Sequence, residues 1–467
     1  MLARLVRLEI LRLLRERSLA AAMGVFAAVL LLSALASWIG VRQDAGVKAA
    51  VAAEERQRWL GQGTKNPHTA AHYSVYAFKP AQPLQAVDAG VSPFVGEAVW
   101  LEAHLQNDLL FRPQQDAHVF ERLGLIDPAG LLIRFGPLAV FLLAFAAAAR
   151  EREHGVLGLA LGTTAARGTY GGAKLAAVAV LSTATLVVPI ALVGVLAISD
   201  SSAPADDVLR LAGWTLGAVT YIAILAAIAV SVCVAARSAQ VAFGGLLVAW
   251  LLIVLAALPG ASAAAAWRSP LPSFEAVKLT VAAEAPAYWS PEVGAEQIAT
   301  ILQRYGVTRE ADLEQRVSVR GAQLDVAERH SHAVFDREIG GFYDRVQAQD
   351  HSYAQFGWFS PAVAFHVTST ALAGTDFFHH RHFIDFAERY RRALVNRMNA
   401  DLIPHPETDG REYTNDIALW AEVPAFDYAQ PPVSQALGVA RPALLALGGW
   451  LLGAVAMLVT TAARVKP

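Results

Sequence analysis

Two groups of residues in this chain have types and spacings that could do chemistry. The first is a set of histidines. His366, His379, His380 and His382 lie close together with His351 nearby, and His68, His72 and His104 sit far upstream. Neutral imidazole is a good ligand for zinc or copper. On a helix, His379 and His382 share a face, whereas His379 and His380 do not. His379 and His382 are therefore the weak metal candidates. Histidine on an amphipathic helix is more commonly a core residue bonded to a carboxylate, so the expectation is no metal. The second group is Arg150-Glu151-Arg152-Glu153-His154-Gly155-Val156-Leu157, followed by Arg167-Gly168-Thr169-Tyr170-Gly171-Gly172-Ala173-Lys174. Arginines beside a membrane need only the positive-inside bias. Two carboxylates there oppose anionic headgroups, which favours a docking surface for a protein partner.

Enzyme chemistry is not expected. Gly168 to Leu175 looks superficially like a phosphate loop. It lacks the glycine before Lys174 and the Ser or Thr after it, and no strand pattern precedes it. There is no His-Glu-x-x-His and no Gly-x-Ser-x-Gly. This chain is expected to bind no cofactor. The single cysteine, Cys233, excludes an internal disulfide or a cysteine-based zinc site. A net charge of −2 gives no reason to expect nucleic acid.

These residues must be positioned by a membrane protein. Of 467 residues, 55% are hydrophobic and 17% charged, with a mean hydropathy of +0.39. Charge near 25% is usual for soluble domains. Six apolar runs are long enough for a bilayer core of about 20 helical residues: 18–40, 131–149, 175–198, 211–235, 241–258 and 443–463. Arg134 is the one interior charge, near an end, where it can snorkel. The first run is longer than a signal-peptide core and reads as a retained span. Basic residues in 1–17, in the loop 150–174, at Arg237 and in the tail place both termini in the cytoplasm. The polar segments 41–130 and 264–440 then lie outside. Trp38, Trp214 and Trp250, where near span ends, suit interfacial belts, and Trp450 suits packing between helices. Thr183, Thr220, Tyr221 and Ser231 read as packing groups rather than a translocation path.

In the outer segments, 42–60 is helix-permissive, 61–96 reads as irregular or short extended structure, and 97–109 as a short helix. Helices are expected over 294–305 and roughly 309–350. Ser360-Pro361 starts a further helix that Gly374 ends. Asp376 caps the next, with Phe383, Ala387, Tyr390, Leu394 and Met398 along one stripe. The two segments are expected to pack as one helical domain. The fold class is thus an all-α membrane protein with six transmembrane helices and a mainly helical extracytoplasmic domain.

The pattern Glu151-x-Glu153-x-Gly155-x-Leu157, a short helix, Arg167, and Lys174 opening the next span resembles the coupling loop of ABC-2-type permeases. The N-terminal segment, with Leu2, Leu5, Val6, Ile10, Leu13 and Leu14 on its apolar side, resembles the interfacial helix of that family. The outer stretches Asn66-Pro67-His68-Thr69-Ala70-Ala71-His72-Tyr73, Val99-Trp100-Leu101-Glu102-Ala103-His104, Phe359-Ser360-Pro361-Ala362 and Ala373-Gly374-Thr375-Asp376 with His380-Arg381-His382-Phe383 resemble a bacterial subfamily with a large extracytoplasmic domain of unknown function. Val156 departs from the family, where threonine is usual. The resemblance implies a permease subunit of an exporter in the bacterial inner membrane. Its partners would be an ABC ATPase subunit, which would carry the ATP and magnesium, and a second permease subunit, identical or not, and the outer domain could meet a periplasmic partner. Glu151 and Glu153 would face basic residues of the ATPase. Gly155 would let the chain turn, and Leu157 would begin the segment seated in the ATPase groove. Arg167 and Lys174 would hold headgroup phosphates or ATPase acids. The alternative is an ATPase-driven assembly that acts mechanically on a periplasmic partner without moving a solute.

Overall fold

The computed structural model describes residues 2–112, 127–149, 151, 167–199, 201, 203–285, 291–406 and 412–464. In chain order the helices are α1 (Leu2–Arg15), α2 (Arg17–Leu60), α3 (Pro67–Tyr73), α4 (Pro128–Ala149), α5 (Gly168–Ala197), α6 (Pro204–Ala235) and α7 (Ala239–Arg268). They continue with α8 (Phe274–Glu284), α9 (Pro291–Tyr305), α10 (Glu310–Glu314), α11 (Val319–Phe335), α12 (Gly341–Gln355), α13 (Pro361–Ala373), α14 (Phe377–Leu402), α15 (Ile417–Glu422) and α16 (Val433–Arg464). Two strands, β1 (Val75–Phe78) and β2 (Ala98–Leu101), pair antiparallel.

Among the described residues six helices, α2, α4, α5, α6, α7 and α16, are long and apolar enough to cross a membrane. Each contains one of the six apolar runs to within a residue at its ends. α4 and α6 form the centre of the bundle, with 72% and 67% of their most apolar windows buried, against 17% for α7 at the rim. Buried Ala436, Ala440, Ala443 and Ala446 along α16 let it approach α6 closely. Small residues serve this purpose in bilayers, where lipid removes the usual hydrophobic drive between helices. Ser231 and Thr220 bond to carbonyls of their own helix, and the Tyr221 hydroxyl donates to Ile133 O at 3.2 Å, as packing groups would. Trp450 Nε1 donates to Gly357 O at 2.9 Å. Trp214 differs from the interfacial expectation: it is fully buried and donates to the Ser369 hydroxyl at 2.7 Å.

The outer region is mostly helical and is built from both segments. α2 does not end at the membrane. Its 44 residues run on as one helix of about 66 Å into the outer domain. There Trp59 packs edge-on to Trp420, with ring centroids 6.2 Å apart, and donates to Trp420 O at 2.8 Å. A shared core joins Trp59, Ala70, Val99 and Leu101 of the first segment to Phe383, Leu394, Met398 and Trp420 of the second. α13 returns toward the bundle and packs against α6 and α16, with Phe365 stacked on Tyr221 at 5.0 Å.

Local capping chemistry sets several boundaries. The Ser360 side chain accepts from Ala362 N, Gly374 ends α13 at φ 73°, and the Asp376 side chain accepts from His379 N. Elsewhere the structure departs from the sequence expectation. Within 61–96, Asn66 caps α3 with Pro67 at its first position. In 97–109 the expected helix is a strand, because Val99 and Trp100 pair across to Ala77 and Tyr76, whose ring lies 4.5 Å from that of Trp100. The long helix expected over 309–350 breaks after Glu314 and restarts at Val319 behind the Ser318 cap. A π segment then separates α11 from α12.

Candidate functional site

Of the loop residues singled out from sequence, Glu153, Gly155 and Leu157, and the side chain of Arg167, lie outside the described residues. Glu151 and Lys174 are described, and they meet at the two ends of the loop. Lys174, at the start of α5, is 4% exposed. Its ammonium donates to Glu9 Oε2 of α1 at 2.8 Å and also pairs with Glu151. The Tyr170 hydroxyl, one turn earlier, donates to Glu151 Oε2 at 2.7 Å. Among the described residues, Arg12 completes the cluster. Its Nε donates to Glu9 Oε1 at 3.1 Å, and its Nη2 lies 3.6 Å from Glu151.

α4 explains why Arg12 also reaches backbone. The last turn of α4, Phe145–Ala149, is a π segment. In such a segment the backbone bonds shift from the i→i+4 to the i→i+5 register. Arg12 Nη2 donates to Ala147 O at 2.9 Å and Ala146 O at 3.2 Å. One arginine and one lysine, with Glu9 and Glu151, thus tie α1 to the end of α4 and the start of α5. Their charges sum to zero. The network engages Lys174 and Glu151 inside the chain. Sequence reasoning identified these two residues and missed Glu9 and Arg12, although an acid among the arginines of α1 was a visible signal.

A second feature lies at the other end of the bundle. A cavity of about 650 Å³ sits where α2, α4, α7 and α16 meet the outer domain. Asp88, Asp127, Arg134, Tyr353 and His366 are among its lining residues. Asp127 caps α4, accepting from Gly130 N at 2.8 Å and from Ala89 N at 3.2 Å. Asp88 accepts from Gly90 N at 3.0 Å and from the Ser369 hydroxyl. Burial pushes both carboxyls above the usual range, and for Asp127 the charge of Asp88 adds to it. A volume of this size fits a small organic solute.

The structure does not bring His379 and His382 together at a metal-ligating site. His379 Nδ1 lies 2.5 Å from Asp376 Oδ1 and its Nε2 lies 3.4 Å from Arg210 Nη1, an arrangement that sets a cation against the remaining ring nitrogen. His382 Nδ1 bonds the Tyr428 hydroxyl at 3.1 Å. Three other histidines do converge. His68, His72 and His104 have candidate ligand atoms all within 4.8 Å of one another. The signal in sequence was the i, i+4 spacing of His68 and His72. It went unread because the stretch did not look helical.

Residues 286–429, most of the second outer segment, match the family model described as Domain of unknown function (DUF3526), which is found generally in membrane-transport-associated proteins. None of the curated proteins and none of the solved structures compared matches the chain.

Proposed function

We propose that this chain is the membrane-spanning permease subunit of an ABC-2-type exporter, driven by a separate ATPase subunit, in the bacterial inner membrane. The observation that carries the reading is the charge network joining α1 to both ends of the loop 150–174. A loop that docks on an ATPase is useful only if its displacement reaches the bundle. Here Glu151 and Lys174 bracket the loop and hold the same interfacial helix, so a push on the loop moves α1, the end of α4 and the start of α5 together. α4 lies at the centre of the bundle and reaches the outer cavity through Arg134 and the Asp127 cap. The match to a family associated with membrane transport supports the same reading.

Within this account Glu153, Gly155 and Leu157 face the ATPase, while Glu151 and Lys174 transmit. Two permease subunits, identical or paired, would enclose the route, and ATP-driven closure below would shift the population between inward- and outward-open states. The test is mild-detergent purification from native membranes followed by mass spectrometry. A co-purifying P-loop ATPase, lost on Glu153→Lys with membrane insertion unchanged, is the expected result. A chain that purifies without an ATPase overturns the reading. ATPase activity stimulated by a soluble periplasmic partner, with no solute moved, would favour mechanical work on that partner instead.

A further inference from the structure

His68 and His72 lie one turn apart on α3, and His104 follows β2. His104 holds a left-handed backbone, φ 67°, which is uncommon for a residue with a side chain. Nearby, Asn107 Nδ2 donates to Trp100 O at 3.0 Å. The second outer segment then orients two of the rings. His68 Nδ1 lies 2.9 Å from the Asn399 Oδ1 of α14, an acceptor, so Nδ1 carries the proton. His104 Nδ1 pairs with the carboxylate of Glu328 on α11, whose side chain is fully buried, and so it carries a proton as well.

The Nε2 atoms of His68 and His104 lie 3.4 Å apart. A cation between them would take both as ligands. The distance fits: tetrahedral zinc with Zn–N near 2.0–2.1 Å sets its ligand nitrogens about 3.3–3.4 Å apart, and the ring centres about 5.2 Å apart. The three ring-centroid separations are 4.8, 5.0 and 5.1 Å. A histidine ligand whose other nitrogen is held by a carboxylate or amide oxygen is the usual support of a metal site. His72 is exposed and His104 partly so, which leaves a fourth position open to solvent.

We propose that His68, His72 and His104 form a three-imidazole site on the outer domain for a first-row divalent ion, zinc by its tetrahedral geometry, with Asn399 and Glu328 orienting two of the ligands. The site ties α3 and the β2 loop of the first segment to α11 and α14 of the second. It rests on the outer domain alone and holds whether or not an ATPase partners the chain.

The test uses the full-length chain, purified with a tag free of histidine, stripped with chelator and titrated calorimetrically with zinc and separately with copper(II). Zinc should bind at about one equivalent per chain. His72→Ala should abolish that event without loss of fold, since its side chain is exposed. Glu328→Gln should keep the stoichiometry and weaken binding by about 10- to 100-fold. His379→Ala with His382→Ala should leave it unchanged. Zinc binding that survives His72→Ala with His104→Ala overturns the site. So does the absence of any metal uptake, in which case a proton shared between His68 and His104 explains the contact. Binding of copper(II) with zinc excluded overturns the zinc assignment.

Discussion

Replacing Lys174 with methionine removes one charge from a four-charge cluster and leaves the shape nearly intact. Glu9 and Glu151, with side chains 11% exposed, lose the ammonium that sits between them, and the cluster goes from neutral to −1. Removing one partner of a buried ion pair costs about 3–5 kcal/mol, because the other charge stays buried. Arg12 remains 3.6 Å from Glu151 and bonded to Glu9, and offsets part of this. A cost of about 2–3 kcal/mol follows, which raises the population with α1 undocked by roughly 30- to 150-fold. The readout is the maleimide labelling rate of Leu13→Cys in a Cys233→Ala background. Leu13 is 2% exposed, so a thiol there reacts only when α1 lifts. Lys174→Met should accelerate labelling by that factor. Adding Glu151→Gln restores neutrality and should bring the rate most of the way back. A Lys174→Met rate within about threefold of the parent, in a folded protein, would show that the network does not hold α1 and that the transmission argument is wrong.

Two other predictions concern the outer domain. A Cβ at Gly90, where φ is +50°, would lie 2.4 Å from Thr375 O, next to the 2.9 Å bond from Val91 N to that oxygen. Gly90→Ala should therefore lower thermal stability by more than about 2 kcal/mol and expose the joint between the two outer segments to protease. An unchanged cleavage pattern would contradict this. The second is a pH dependence. Burial, with the charge of Lys79, pulls His380 down to about 3. The unfolded ring titrates near 6.5, so between these values the unfolded state holds more protons. Its contribution is fully present above about 6.5 and is lost as pH falls. Acidification from pH 7 to 5 should cost about 2 kcal/mol through this ring, and His380→Gln should flatten that limb of a tryptophan-fluorescence unfolding profile. A limb of unchanged steepness would count against it.

What could be read from the sequence was what local chemistry decides. The six apolar runs declare themselves by hydropathy, since a helix satisfies its own backbone groups in lipid and then needs only an apolar surface. Ser360, Gly374 and Asp376 mark helix ends because their hydrogen bonds reach only two or three residues away. Lys174 was recognisable as a special basic residue, but its partner Glu9 lies 165 residues away and belongs to another helix. The strand at Ala98–Leu101 was missed because it exists only through its pairing with Val75–Phe78. The histidine cluster was dispersed among 13 histidines for the same reason. Asn399 and Glu328, which aim two of its rings, come from the other outer segment. Proximity in sequence pointed instead to His379 and His382, whose ring nitrogens bond other partners.

The central claim is that the loop between α4 and α5 docks on an ATP-hydrolysing subunit. The most direct measurement is photo-cross-linking in intact cells from a photoreactive residue placed at Leu157, with the products identified by mass spectrometry. The account predicts a cross-link to a P-loop ATPase that is lost on Glu153→Lys. Cross-links confined to lipid or to this chain itself would contradict it.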